Sequence, residues 1–405
     1  MSRVALIAAL ILGGAVVGAN TWADEQPQVT RGVAKSLKAA QEALQAKNYG
    51  ECISKVKEAD GVPSKSAYDV YVINSLLMAA YGGQGNTAET VNAMERVVES
   101  SYLPAASKSQ ILKYLMSFSY QQKSYEKAIQ YGERVRAAGD GSDDIALTIA
   151  QANYLLGKYR EAMVGMDAII ARDEQAGRRP SEKGLNVIWS CAIKLKDESA
   201  AAKTIEKLIL HYPKPDYWQN AMASILQDRS FDDRIQLMTY RLMNEVGILK
   251  RGSDYRDMAQ IALDQGNPGE AQAVMEQAFA KNLYTEQRDK ESNQRLLEAA
   301  KKKAAEDRAS LPRDEKEAAA APTGDASVQV GGAYLGFGQT DKALTAINAG
   351  IAKGKLKYPD EAYMLLGIAQ ERAKNHAEAI KAFNKATTDP KYTRLAKLWA
   401  LEARS

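Results

Sequence analysis

The stretch EAYMLLGIAQERAKNHAEAIKAFNKATTDP, residues 361–390, decides how the chain folds. Apolar residues return every three to four positions on both sides of Asn375, so it reads as two amphipathic helices joined by a short turn. Ala379 lies near the start of the second helix, with Phe383 one turn later, Gly367 in the helix before and Pro390 at the end. A small residue at 379 is what a helical hairpin needs where its two helices cross closely. Pro390 falls where no helical hydrogen bond is lost and closes the unit.

The same unit recurs toward the N-terminus as SYEKAIQYGERV (124–135), KYREAMVGMDAI (158–169), NPGEAQAVMEQAF (267–279) and TDKALTAINAGI (340–351). The small anchor falls at Cys52, Thr90, Ala128, Ala162, Ala201, Arg234, Ala271, Ala343 and Ala379. Successive anchors are 33 to 39 residues apart, except that Ala271 and Ala343 are separated by 72, which is two such periods. Arg234 is a poor anchor, and its unit is the least regular. Four residues past the anchors come Val56, Met94, Met166, Ile205, Met238, Met275, Ile347 and Phe383, with Gly132 the exception. Twelve residues before an anchor, small residues stand at Ala40, Ala150, Ala259, Gly331 and Gly367, and aromatics open first helices at Trp218, Tyr255 and Tyr363. Self-similarity at this period means stacked helical hairpins.

These positions resemble the tetratricopeptide repeat (TPR) family, with Gly367, Ala379, Phe383, Ala386 and Pro390 matching best. The resemblance runs from about Ala34 to Ala403 with a gap at 284–322. Phrases such as YQQKSYEKAIQYGERV, YPKPDYWQNA, FDDRIQLMTYRLM and GNPGEAQAVMEQAF are also similar to a group of proteobacterial periplasmic TPR proteins. Some of that group are described as candidate components of TonB-type energy-transduction systems. The resemblance implies an all-α superhelical solenoid that works as a protein–protein interaction scaffold without enzymatic activity.

Within that fold the sequence divides into a leader at 1–23, an array of about seven hairpins at 24–283, a charged helical linker at 284–322, and a hairpin pair with a capping helix at 323–405. The leader reads MSRVALIAALILGGAVVGANTWA: one Arg, an apolar run too short to span a bilayer, and small residues at Thr21 and Ala23. That is a secretory signal peptide, and it implies a periplasmic, soluble mature chain without a transmembrane segment. The linker region Glu286–Glu317 carries 9 basic and 9 acidic residues, so the Lys301-Lys302-Lys303 triplet is cancelled locally. Leu296, Leu297 and Ala300 give it only a thin apolar stripe. The last segment should pack Leu395, Leu398 and Trp399 onto the final repeat as a cap.

Composition excludes other classes. Lys+Arg 54 against Asp+Glu 50 is not the charge of a nucleic-acid binder. Two His and two Cys leave little to ligate a metal, and no cofactor or metal is expected. Cys52 and Cys191 fall in helical patterns far apart in the array and read as buried, unpaired thiols. His211 ends a helix and reads as solvated or capping, while His376 occupies a turn position that is aromatic in other units and reads as packing. GGQGN (82–86) and GAYLGFGQT (332–340) match neither a dinucleotide fingerprint nor a P-loop.

Function should then lie on the concave face lined by first helices, which in such stacks binds extended segments or partner helices. The register places Lys113, Ser117, Tyr120, Gln151, Tyr154, Asn186, Ser190, Lys194, Gln219, Asn220 and Gln227 on this face. Amides can pair with a peptide backbone, and Tyr offers rigid area with a polar tip. The expected partner is a protein or peptide segment of the cell envelope, with peripheral association to an envelope complex. The alternative is a glycan or other small ligand stacked on Trp189 and Trp218, although both register positions read as buried. The 20 Tyr against 5 Phe fit a repeat whose large positions also meet water.

Overall fold

The computed structural model describes residues 27–227 and 231–404; among them are twenty helices and no strand. The leader expected at 1–23 lies outside the described residues. No described helix is long and apolar enough to cross a membrane.

One local device builds eight of the hairpins among the described residues. The turn of each holds a single residue in the left-handed region: Lys47, Gly85, Lys123, Gly157, Lys196, Gly266, Gly338 and Lys374. In each case the next residue donates its N–H to a carbonyl five residues back, as Asn48 does to Ala43, Asn86 to Tyr81 and Asn375 to Gln370. Those bonds satisfy the carbonyls that a helix end leaves open, and the reversal sends the chain straight into the second helix. The anchors then do what their size allows. Cys52, Thr90, Ala128, Ala162, Ala271, Ala343 and Ala379 are all buried, as are the large residues one turn beyond them. Gly367 shows the closeness of the crossing: a Cβ there would come within 2.3 Å of the Phe383 ring. Gly132 breaks the large-residue pattern because the space is taken; a Cβ there would meet Ile149 at 2.7 Å.

The chain divides into two compact units between Glu198 and Ser199. The first is built from α1 (Arg31–Gln45), α2 (Tyr49–Asp60), α3 (Ala67–Gln84), α4 (Thr87–Val97), α5 (Ala105–Gln121), α6 (Tyr125–Ala137), α7 (Asp143–Leu155), α8 (Tyr159–Gln175) and α9 (Glu182–Leu195). Each packs on the next, and first helices also touch across hairpins, α1 on α3, α5 on α7 and α7 on α9. Buried Asp69 at the start of α3 ties this contact down, accepting from the Thr30 N–H and hydroxyl, both at 2.9 Å. The second helix of the fourth hairpin runs on to Gln175. Cys52 and Cys191 are both buried and unpaired, and burial pushes each thiol up to about 11.

The division expected at 284–322 is not where the compact units part. That stretch lies inside the second unit as α15 (Gln287–Ala320), which follows α10 (Glu198–His211), α11 (Pro215–Leu226), α12 (Asp233–Glu245), α13 (Gly252–Asp264) and α14 (Pro268–Ala280). Its thin stripe of Leu297, Ala300, Ala304 and Leu311 is buried, enough to pack it on α14 and α16 (Asp325–Gly336). So the double period holds one long helix rather than an extra hairpin. α14 meanwhile touches α16 directly, and the stack continues through α17 (Thr340–Lys353), α18 (Pro359–Arg372) and α19 (His376–Phe383).

The final helix, α20 (Pro390–Glu402), buries Leu395, Leu398 and Trp399. Trp399 stacks on Phe383 at 5.6 Å, which is the expected cap. It does more: its indole N–H donates to the Met238 carbonyl at 3.3 Å, and α20 packs on α12. The second unit therefore closes on itself. His376, expected to pack, is instead exposed at the start of α19, with Nδ1 2.6 Å from the Glu371 carboxylate, because the turn points it at the preceding helix end.

Candidate functional site

In the first unit the face residues lie along the less buried strip of the first helices. Ser117 and Lys194 are exposed; Lys113, Tyr120, Gln151, Tyr154, Asn186 and Ser190 are half-buried. Several are already engaged. The Tyr120 ring meets Tyr125 edge-on at 5.6 Å, and Tyr154 meets Tyr159 in the same way at 5.3 Å, so each pair braces the turn of its own hairpin. Burial pushes the Tyr120 hydroxyl up. Lys113 is ion-paired with Asp140, whose carboxyl that lysine holds below its ordinary value. The Asn186 amide donates to the Glu182 carbonyl at 3.0 Å on its own helix. What stays available on this strip is Ser117, Gln151, Ser190 and Lys194.

An aromatic cluster that the register did not single out lies at the start of α3 and just before α5. Tyr68 and Tyr71 of α3 meet Tyr102, which precedes α5, with ring centroids 5.1 to 6.3 Å apart. Tyr102 is 39% exposed and neighbouring Val70 43%. Three ring contacts hold the tyrosines rigid while one edge faces water, the combination that gives contact area at low entropic cost. The surplus of Tyr over Phe was the sequence signal for it.

Gln219, Asn220 and Gln227 belong to the second unit and are exposed on or just after α11. Asn220 donates to the Asp216 carbonyl at 2.8 Å. Trp218 is buried in the core at 4% exposure, and Trp189 in the first unit is half-buried.

The interior of the second unit is charged. Arg241 of α12 and Glu270 of α14 are buried and meet as a two-pronged pair, Nε to Oε1 at 2.8 Å and Nη2 to Oε2 at 2.5 Å. Although burial works against the Glu270 carboxylate, Arg241 holds it below the ordinary range. Arg234, the weak anchor, covers the Tyr358 ring at 3.7 Å and lies 3.4 Å from Glu361. It cannot mark a close crossing because it reaches to α18 instead. These groups arise on helices far apart in sequence, which is why residue spacing gave no hint of them.

Tandem hairpins with buried small anchors and an engaged polar strip define a helical-repeat protein. Residues 331–393 match the family model of the tetratricopeptide repeat. Among solved structures the chain is similar to a tetratricopeptide repeat protein from Parabacteroides merdae, at 12% identity over 84% of this chain and 100% of that one, with a TM-score of 0.28. It is also similar to yeast Tom70, at 15% identity over 88% of this chain and 84% of that one, with a TM-score of 0.24. No curated protein matches the chain.

Proposed function

We propose that the protein is an exported, non-enzymatic scaffold of the cell envelope that binds an extended protein segment on the first-helix strip of its first unit. The observation that carries this reading is the strip of first helices on which Ser117, Gln151, Ser190 and Lys194 stay available, in a unit that also holds a rigid, partly exposed tyrosine trio at the start of α3 and before α5. Periplasmic location is supported by the leader pattern of residues 1–23. The likeness to periplasmic repeat proteins makes TonB-type energy transduction the first process to test.

Crosslinking in living cells tests partner and place together. The expected result is recovery from the periplasmic fraction, joined to an envelope protein. Ser117→Glu, Gln151→Glu and Lys194→Glu combined should lower that capture at least fivefold while leaving the tyrosine pairs intact. Undiminished capture by the triple variant overturns the proposed face, and a cytoplasmic pool overturns the export reading.

A further inference from the structure

A cavity of about 430 Å³ opens in the second unit among α12, α14, α15, α16 and α18. Three guanidinium groups line it, those of Arg241, Arg308 and Arg372. Arg241 is spent on Glu270. The other lining carboxylate, Glu276, is half-exposed and lies 3.7 Å from Lys301. Arg308 covers the Phe337 ring at 4.7 Å, and Arg372 donates one N–H to the Leu335 carbonyl at 2.9 Å. Among the described residues neither of these two is ion-paired. Each is held in place by a contact that leaves most of its five donors unused.

We propose that this cavity binds a small organic oxyanion, a carboxylate or phosphate ester of metabolite size, between Arg308 and Arg372. The inference concerns the second unit alone and does not rest on the protein-binding reading of the first. Arg372 is exposed to water, although protein crowds much of its guanidinium. Burial pushes its guanidinium below the ordinary arginine value and Arg241 adds repulsion, while Glu270 and Glu245 oppose this only in part. Among the described residues neither guanidinium has a carboxylate of its own, so the donors that line the cavity can take a ligand carboxylate or phosphate. Guanidinium forks match the oxygens of both groups. The volume is in the range of small-molecule sites, roughly 300–1,000 Å³, and exceeds what a bare inorganic ion fills. Phe337 and Leu335 supply an apolar wall, and Gln277 an amide, for the remainder of such a molecule.

Isothermal titration of the full chain at low salt with citrate, glucose 6-phosphate and inorganic phosphate is the test. Saturable binding of citrate or glucose 6-phosphate is expected, with inorganic phosphate weaker, and the two organic probes separate carboxylate from phosphate recognition. Arg308→Gln and Arg372→Gln should each weaken the binding tenfold or more. Arg372 also caps α16, so circular dichroism must show that its variant folds; Arg308 is exposed, and its variant decides the matter if the other does not fold. The proposal is overturned if none of the three probes binds saturably at millimolar concentration, if Arg308→Gln binds as the wild type does, or if inorganic phosphate binds as tightly as both organic probes.

Discussion

The two units are made of the same hairpin and differ in how far their contacts reach. In the first, every substantial contact joins a helix to the next or to the one after it. In the second, α20 returns to α12, and the Trp399–Met238 hydrogen bond spans 161 residues. A ladder of the first kind is stabilised by the sum of its repeats and their nearest-neighbour interfaces. A closed unit gains a contact that no repeat contains, and it can bury charge that an open stack would leave in water. The Arg241–Glu270 pair exists on those terms, and removing one partner of such a pair typically costs about 3–5 kcal/mol.

The largest effect should come from opening the closure. Trp399→Ala removes a fully buried ring and should cost about 3–5 kcal/mol in denaturant unfolding. Hydrogen exchange should then quicken in α12 as well as in α20. The counterpart in the first unit, Met94→Ala, should cost about 2–5 kcal/mol and loosen only α4 and the helices beside it. If Trp399→Ala leaves the protection of α12 unchanged, the closure does not contribute to stability.

A smaller effect follows from the end of the same helix. Glu402 on α20 lies near Glu371 and Glu245, and its Oε2 and that of Glu371 are buried without a hydrogen-bond partner. Burial pushes the Glu402 carboxyl up to about 7, Glu371 and Glu245 add to this, and His376 opposes it. An unfolded Glu titrates near 4.3, so between about 4.3 and 7 the folded state binds more protons than the unfolded one. The contribution of Glu402 to stability is therefore fully present below about 4.3 and is lost as pH rises to about 7. After allowance for solvent screening the loss should be on the order of 1 kcal/mol. Glu402→Gln should flatten that slope in melts recorded from pH 4 to 8; an unchanged slope assigns it to other groups.

The smallest effect should not distinguish the units at all. Lys47 in the first and Lys374 in the second occupy the same left-handed turn position, with φ of 59° and 61°. Replacing either with Gly should stabilise by about 0.5–1 kcal/mol, since Gly meets no Cβ penalty there. A gain at one site and a loss at the other would mean that the turns are not equivalent.

The repeat was legible because its signal is local. Gly367 must be small to admit Phe383, Ala379 must be small at the crossing, and Pro390 must fall where no helical hydrogen bond is lost, the first position of α20, so each position is constrained by partners within about one repeat. The candidate face was legible only as a register. Sequence placed Tyr120 and Tyr154 on it, but their pairing with Tyr125 and Tyr159 across the turns depends on side-chain direction, which spacing does not carry. The thin stripe of α15 looked too weak to pack, yet a few small residues suffice when two helices approach from different sides.

By itself, then, the sequence determined the hairpin, its period and the burial of its anchors, because helix periodicity and residue size act over a few turns of chain. Only the tertiary structure decided where the units divide, that Trp399 closes the second one, and that Arg241, Arg308 and Arg372 share a cavity. Those facts depend on contacts between helices far apart in the chain, and no single repeat encodes them.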